Sequence, residues 1–215
     1  MFALAIKDFA INTEHVFSRP VAFGQTELTS FSEGMLKAFG SGLLAKDIVL
    51  DQGDRLYNYK LTFGMFNGSA DLALTAHGLT TAFRNGRNRT ALQLIGNCLI
   101  AIETLLQNSS VQFRRLTYAT HAEFQKHEEY EMHMGQVADK ERGFNAGGIT
   151  LHSANNSFRG ELRFSTDKSF VYEKALFLSC QILTYEVFSN DLLTSFSARV
   201  GEIAKHVGLE FNLGE

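Results

Sequence analysis

Apolar and polar residues take turns along the middle of the chain. Tyr57, Tyr59, Leu61, Phe63 and Met65 share one side of an extended segment, with Asn58, Lys60 and Thr62 on the other. That period of two predicts a strand with one buried face. Asn67-Gly68 follows, a pair that tolerates positive φ and suits a tight hairpin turn. The return strand carries Leu72, Leu74 and Ala76, then Leu79, Thr81 and Phe83. Its parity changes at His77-Gly78, which predicts a bulge there. From Asn88 or Thr90 the period becomes helical. Ala91, Leu92, Ile95, Cys98, Leu99, Ile102, Leu105 and Leu106 fall on one broad face.

The same reading extends both ways. Phe2, Leu4, Ile6, Phe9 and Ile11 predict a strand bulged at Lys7-Asp8, ended by Arg19-Pro20. Leu28, Phe31, Met35 and Phe39 mark a helix from about Thr26, its expected cap, to Gly40, its expected stop. Ile48 to Leu50 reads as a short strand. After Asn108-Ser109-Ser110 a strand resumes through Val111, Phe113, Leu116 and Tyr118. Tyr130, Met134 and Val137 are read as one side of a helix over 127–138, a segment that also alternates. Ile149 to His152 is a short strand, and Phe158, Leu162 and Phe164 alternate with Arg159, Glu161 and Arg163. A long apolar run covers Phe170 to Phe188. The last helix starts after Ser189-Asn190 and buries Leu192, Phe196, Val200 and Ile203, with Gly208 suited to its stop.

Lys60-Leu61-Thr62-Phe63 is echoed by Glu161-Leu162-Arg163-Phe164. Leu72, Leu79 and Leu99 find counterparts in Leu176, Leu183 and Ile203. The expected fold is therefore α+β: an antiparallel sheet backed by helices, in two related strand-helix-strand-hairpin-helix halves. Residues 1–108 form the first half and 109–215 the second, both in one compact unit, because no linker separates them. In order of elements the chain resembles duplicated sheet-and-helix folds, including the saddle of the TATA-binding protein. The resemblance is one of topology, and topology does not carry function.

Composition narrows the classes. Of 215 residues, 45% are hydrophobic and 20% charged, the balance of a folded domain. Nineteen Phe against no Trp allows a large core with few ring polar groups needing partners. A formal net charge of −3 argues against coating nucleic acid or an anionic membrane by bulk attraction. Cys98 and Cys180 both lie in apolar stretches and read as buried thiols in a reducing compartment. The apolar start, Met1 to Ala5, is too short for a signal peptide or a span, so a cytoplasmic location and no membrane partner are expected.

Candidate chemistry is sparse. His121, Glu123, His127, Glu128, Glu129, Glu131 and His133 could hold a metal, with His127, Glu131 and His133 the nearest to a ligand set. The His-Glu-x-x-His spacing is absent, so a solvated charged face is the better expectation. Arg84, Arg87 and Arg89 precede a helix start, where free N–H groups and guanidinium groups could bind an anion. Arg114-Arg115 and Arg159/Arg163 are expected on the sheet surface, where Phe113 and Phe158 could also stack bases. No phosphate loop or hydrolase elbow is present. The expectation is a non-catalytic protein-binding or assembly module with no cofactor, acting on a protein partner or by self-association. Its positive sign is the excess of apolar residues between Phe170 and Phe188. The alternatives are a nucleic-acid or polyanion binder using the Arg84–Arg89 turn, and a metal-dependent enzyme using residues 121–133.

Overall fold

Each alternating segment becomes a strand, and the strands join in a single sheet. A computed structural model of the chain describes residues 1–53, 57–86, 89–106, 110–137, 148–155 and 160–210. The elements in chain order are β1 (Phe2–Phe17), α1 (Gln25–Phe39), β2 (Leu43–Gln52), β3 (Tyr59–Met65), β4 (Ala70–Thr75), β5 (Gly78–Gly86), α2 (Arg89–Leu106), β6 (Val111–Phe124), α3 (His127–Val137), β7 (Ile149–Asn155), β8 (Gly160–Lys168), β9 (Ala175–Thr184), α4 (Asn190–His206) and β10 (Leu209–Glu210). Among the described residues the sheet has ten strands in the order β2-β3-β4-β5-β1-β6-β9-β8-β7, with β10 added alongside β1. Every pairing is antiparallel except that of β10. This is the expected α+β architecture.

The two longest strands lie side by side at the centre. β1 pairs β6 from Leu4–Phe124 to Phe17–Val111, with a register shift between Ile6 and Asp8 where the sequence predicts a bulge. On each side of this pair sits the last strand of a meander, β5 beside β1 and β9 beside β6. One continuous sheet thus runs through both halves of the chain.

The four helices of the described residues cover the same side. Phe9, Ile11, Leu61, Phe63, Leu72, Leu74, Leu116, Tyr118, Leu162, Phe164, Leu178 and Cys180 point to it. They form one core with Phe31 and Met35 of α1, Leu99 and Ile102 of α2, Tyr130 and Met134 of α3, and Phe196 and Val200 of α4. The alternate residues of the same strands form a face that none of the described helices covers. Register carries that face across the sheet through Val49, Thr62, Ala73, Thr80, Glu14, Arg115, Leu183 and Glu161. Among the described residues no helix is long and apolar enough to cross a membrane.

Local corrections have physical causes. The parity change at His77-Gly78 is a second hairpin turn, because β4 ends at Thr75 and β5 begins at Gly78. Thr75 Oγ1 accepts from the His77 N–H and donates to the Gly78 carbonyl, closing it. The preceding turn spans Phe66–Gly68, with Phe66 and Asn67 both at positive φ. α1 starts one residue before Thr26, which does not cap it; the N-cap position belongs to Gly24. Residues 127–137 are helical, as read, and Ser189 caps α4 by accepting from the Leu192 N–H. Arg114, expected on the surface, is buried on the core side. The residue-by-residue echo does not map strand onto strand: Leu72 and Leu79 lie in β4 and β5, whereas Leu176 and Leu183 share β9.

Candidate binding surface

The helix-free face carries small and polar side chains. It holds an open trough of about 800 Å³ lined by residues of β3, β4, β5, β1, β6 and β9, among them Asn12, Lys60, Thr62, Thr80, Thr117 and Gln181. Two ion pairs cross it. Arg84 meets Asp71 at 2.6 Å, and Arg115 meets Glu14 across the central β1/β6 pair. Among the described residues the cations on this face are Lys7, Lys60, Arg84, Arg115 and Arg163. The carboxylates are Asp8, Glu14, Asp51, Asp71, Glu123, Glu161 and Asp167. Among the described residues carboxylates outnumber cations, a balance that does not favour a polyanion by charge.

At the β6/β9 end of this face the β8–β9 turn projects Phe170 and Val171. Phe170 is 94% exposed and Val171 68% exposed. The turn is held by a specific set of bonds. Ser169 Oγ accepts from the N–H groups of Val171 (3.1 Å) and Tyr172 (3.0 Å). With its acceptor sites so occupied, its hydroxyl donates to His121 Nδ1 at 2.9 Å. Tyr172 donates its hydroxyl to Asp8 Oδ2 at 3.0 Å, and Ser169 N–H donates to the Ala175 carbonyl at 2.9 Å. Lys174 takes the positive φ that lets the chain return. The His121 ring lies 5.3 Å from Tyr172 and 5.2 Å from Phe177, an exposed ring of β9. The tip is thus a fixed apolar projection.

A serine hydroxyl on an imidazole invites a nucleophile–base reading, and three features oppose it. Ser169 is buried. Its lone pairs already receive two backbone N–H groups. The Asp8 carboxylate receives the His121 backbone N–H at 3.3 Å, so it does not orient the ring as a triad acid would. The arrangement fixes a turn.

The sequence-derived site residues do not converge. His121 is on β6, bound to Ser169, whereas His127 and Glu131 form an exposed pair 3.8 Å apart on α3. His133 is buried on the other side of that helix, against Phe2 and Phe124. Among the described residues no group of three or more His, Cys, Asp or Glu could hold a metal. Arg84 lies in β5, not in a turn, and is paired to Asp71. Arg87 and the side chain of Arg89 lie outside the described residues, as do Phe158 and Arg159. Arg163 is an exposed residue of β8. Both cysteine thiols are free and buried, and burial pushes each up to about 12, which removes reactive thiolate.

One buried charged network escaped the sequence reading. Glu103 of α2 receives Arg114 Nε at 2.5 Å on Oε1 and Arg114 NH2 at 2.9 Å on Oε2. Its Oε1 also accepts from the Phe188 N–H at 3.0 Å and lies 3.1 Å from His15 Nε2. Burial pushes the Glu103 carboxyl up. The hydrogen bonds from His15 and Arg114, the charge of His15 and the Phe188 N–H overcome it, and the carboxyl falls from an ordinary 4.5 to about 2. A signal was present: Glu103 falls within the apolar stripe of α2, between Leu99 and Leu106. The network ties β1, β6, α2 and the start of α4 together beneath the sheet and opens to no trough residue, so its role is structural.

No protein-family model matches the chain, and no curated protein matches it.

Proposed function

We propose that the chain is a non-catalytic protein-binding module that docks through the β8–β9 tip and the adjoining helix-free face. The observation that carries this reading is the tip: a nearly fully exposed Phe170 and its neighbour Val171, held in place by Ser169, His121, Tyr172 and Asp8. A water-exposed phenylalanine on a fixed turn gains nothing for folding. In an interface it needs little further ordering, which is what an anchoring aromatic requires. Its full burial is worth about 1.5–3 kcal/mol. A polyanion is disfavoured by the excess of carboxylates on the face.

The proposal extends to the internal architecture. We read the two strand-helix-meander-helix halves as related units, supported by the matching places of β5 and β9 beside the central pair. Tagged protein isolated from its native cells, with quantitation of bound protein and nucleic acid, tests the functional reading. The expected result is a stoichiometric protein partner that Phe170→Ser weakens tenfold or more. Nucleic acid retained in a salt-sensitive manner by parent and variant alike would overturn it.

A further inference from the structure

We infer that α3 is a latch released by acid, with His133 as its trigger. The ring of His133 is 2% exposed, and neither ring nitrogen has a hydrogen-bond partner. Phe2 of β1 meets it edge-on at 6.1 Å, and Phe124 of β6 lies tilted at 5.6 Å. Buried polar groups are ordinarily paired, so an imidazole with two empty nitrogens in an aromatic cage is costly to keep and costlier to charge.

Among the described residues no nearby charge offsets the burial. On its own helix the closest titratable neighbours are Glu129 and Tyr130, and the Tyr130 ring is spent on Phe124 at 5.7 Å. From β6, Glu123 points to the opposite face of the sheet, where it pairs with Lys7 at 2.5 Å. From β1 the nearest such groups are that same Lys7 and the amine of Met1, and from β10 it is Glu210, opposite Ala3. Burial therefore acts unopposed on His133 and lowers its proton affinity.

The rest of α3 is poorly suited to stay docked once this ring is charged. His127, Glu128, Glu131 and Met132 are exposed, and the helix inserts only Tyr130, His133 and Met134 fully into the core among its described side chains. Undocking puts His133 in water, where it binds a proton near pH 6.5, while the docked ring does not. The opening equilibrium of α3 then rises about tenfold for each pH unit below about 6.5, until the docked ring itself titrates. Opening uncovers Phe2, Phe124, Tyr130 and Met134 together, an apolar surface available only in acid.

Amide hydrogen exchange of the full chain between pH 7.5 and 4.5 tests this, corrected for the intrinsic rate at each pH. Protection factors in α3 should fall about tenfold per unit below about 6.5, while those of α4 hold. His133→Phe should keep α3 protected throughout. If that variant does not fold, long-range proton–nitrogen spectra of the parent decide the matter. They should show the docked His133 ring still neutral at a pH where a free imidazole is already charged. Protection of α3 that is independent of pH, or an acid loss that survives His133→Phe, or a docked ring that takes its proton where a free imidazole does, overturns the inference.

Discussion

Replacing Glu103 with Gln removes one charge from a buried network and leaves the guanidinium of Arg114 without a counter-ion. Glu103 and Arg114 are both buried, and four contacts converge on the carboxylate, from Arg114 twice, Phe188 N–H and His15. Breaking a buried pair by altering one partner costs about 3–5 kcal/mol. The carboxyl gives a second route to the magnitude. A fall from 4.5 to about 2 corresponds to about 3 kcal/mol of linkage, in the same range. The sign follows from the direction. The folded value lies below the unfolded one, so the stabilisation is complete above about pH 4.5 and is lost as pH falls from there towards about 2. Urea unfolding at pH 7 should lower the midpoint of Glu103→Gln by about 1–2 M, taking a slope of about 3 kcal/mol/M. The acid-dependent part of the parent's stability should shrink in the same variant. The double variant Glu103→Met/Arg114→Met should lose less than the sum of its two single changes, because it leaves no orphaned charge. A midpoint within 0.2 M of the parent (about 0.6 kcal/mol at that slope), or an unchanged acid profile, would refute the assignment of this network as the buried tie between sheet and helices.

Other perturbations follow from the same structure. Leu99 of α2 is fully buried, and Leu99→Ala should cost about 2–5 kcal/mol in a denaturation midpoint. Gly78→Ala should destabilise by about 1–3 kcal/mol, because the added methyl meets the His15 carbonyl oxygen at 2.2 Å and strands β1 and β5 must part there. Ser169→Ala should leave global stability nearly unchanged yet raise amide exchange at Val171 and Tyr172, whose N–H groups lose their acceptor.

Much of the fold was legible because a sheet covered on one side writes itself as alternation. Leu61, Phe63, Leu72 and Leu74 show the covered face, and Lys60, Thr62, Asp71 and Ala73 the bare one. The stripes of α1, α2 and α4 were equally plain. Strand order was not legible, since pairing β1 with β6 is a contact between residues about a hundred positions apart. The turn at Ala76-His77 was misread because a two-residue turn and a bulge both invert parity. The candidate site was legible only in part. The apolar excess of Phe170 to Phe188 was visible, but alternation accounts for Leu178, Cys180 and Ile182, while the exposure of Phe170 depends on a turn held by Asp8 and His121 from distant strands. Arg114 looked like a surface charge because its buried partner Glu103 lies on another element.

The central claim is that the β8–β9 tip is an anchor for a protein, and crosslinking from the tip reaches it most directly. A photoreactive residue placed at position 170, and as a control at the exposed Lys37 on α1, is carried into the native cell and irradiated. Position 170 should yield one protein adduct of defined mass that the control does not, and Val171→Asp in the same chain should abolish it. Equal adducts from both positions, or nucleic acid as the material joined at the tip, would contradict the claim.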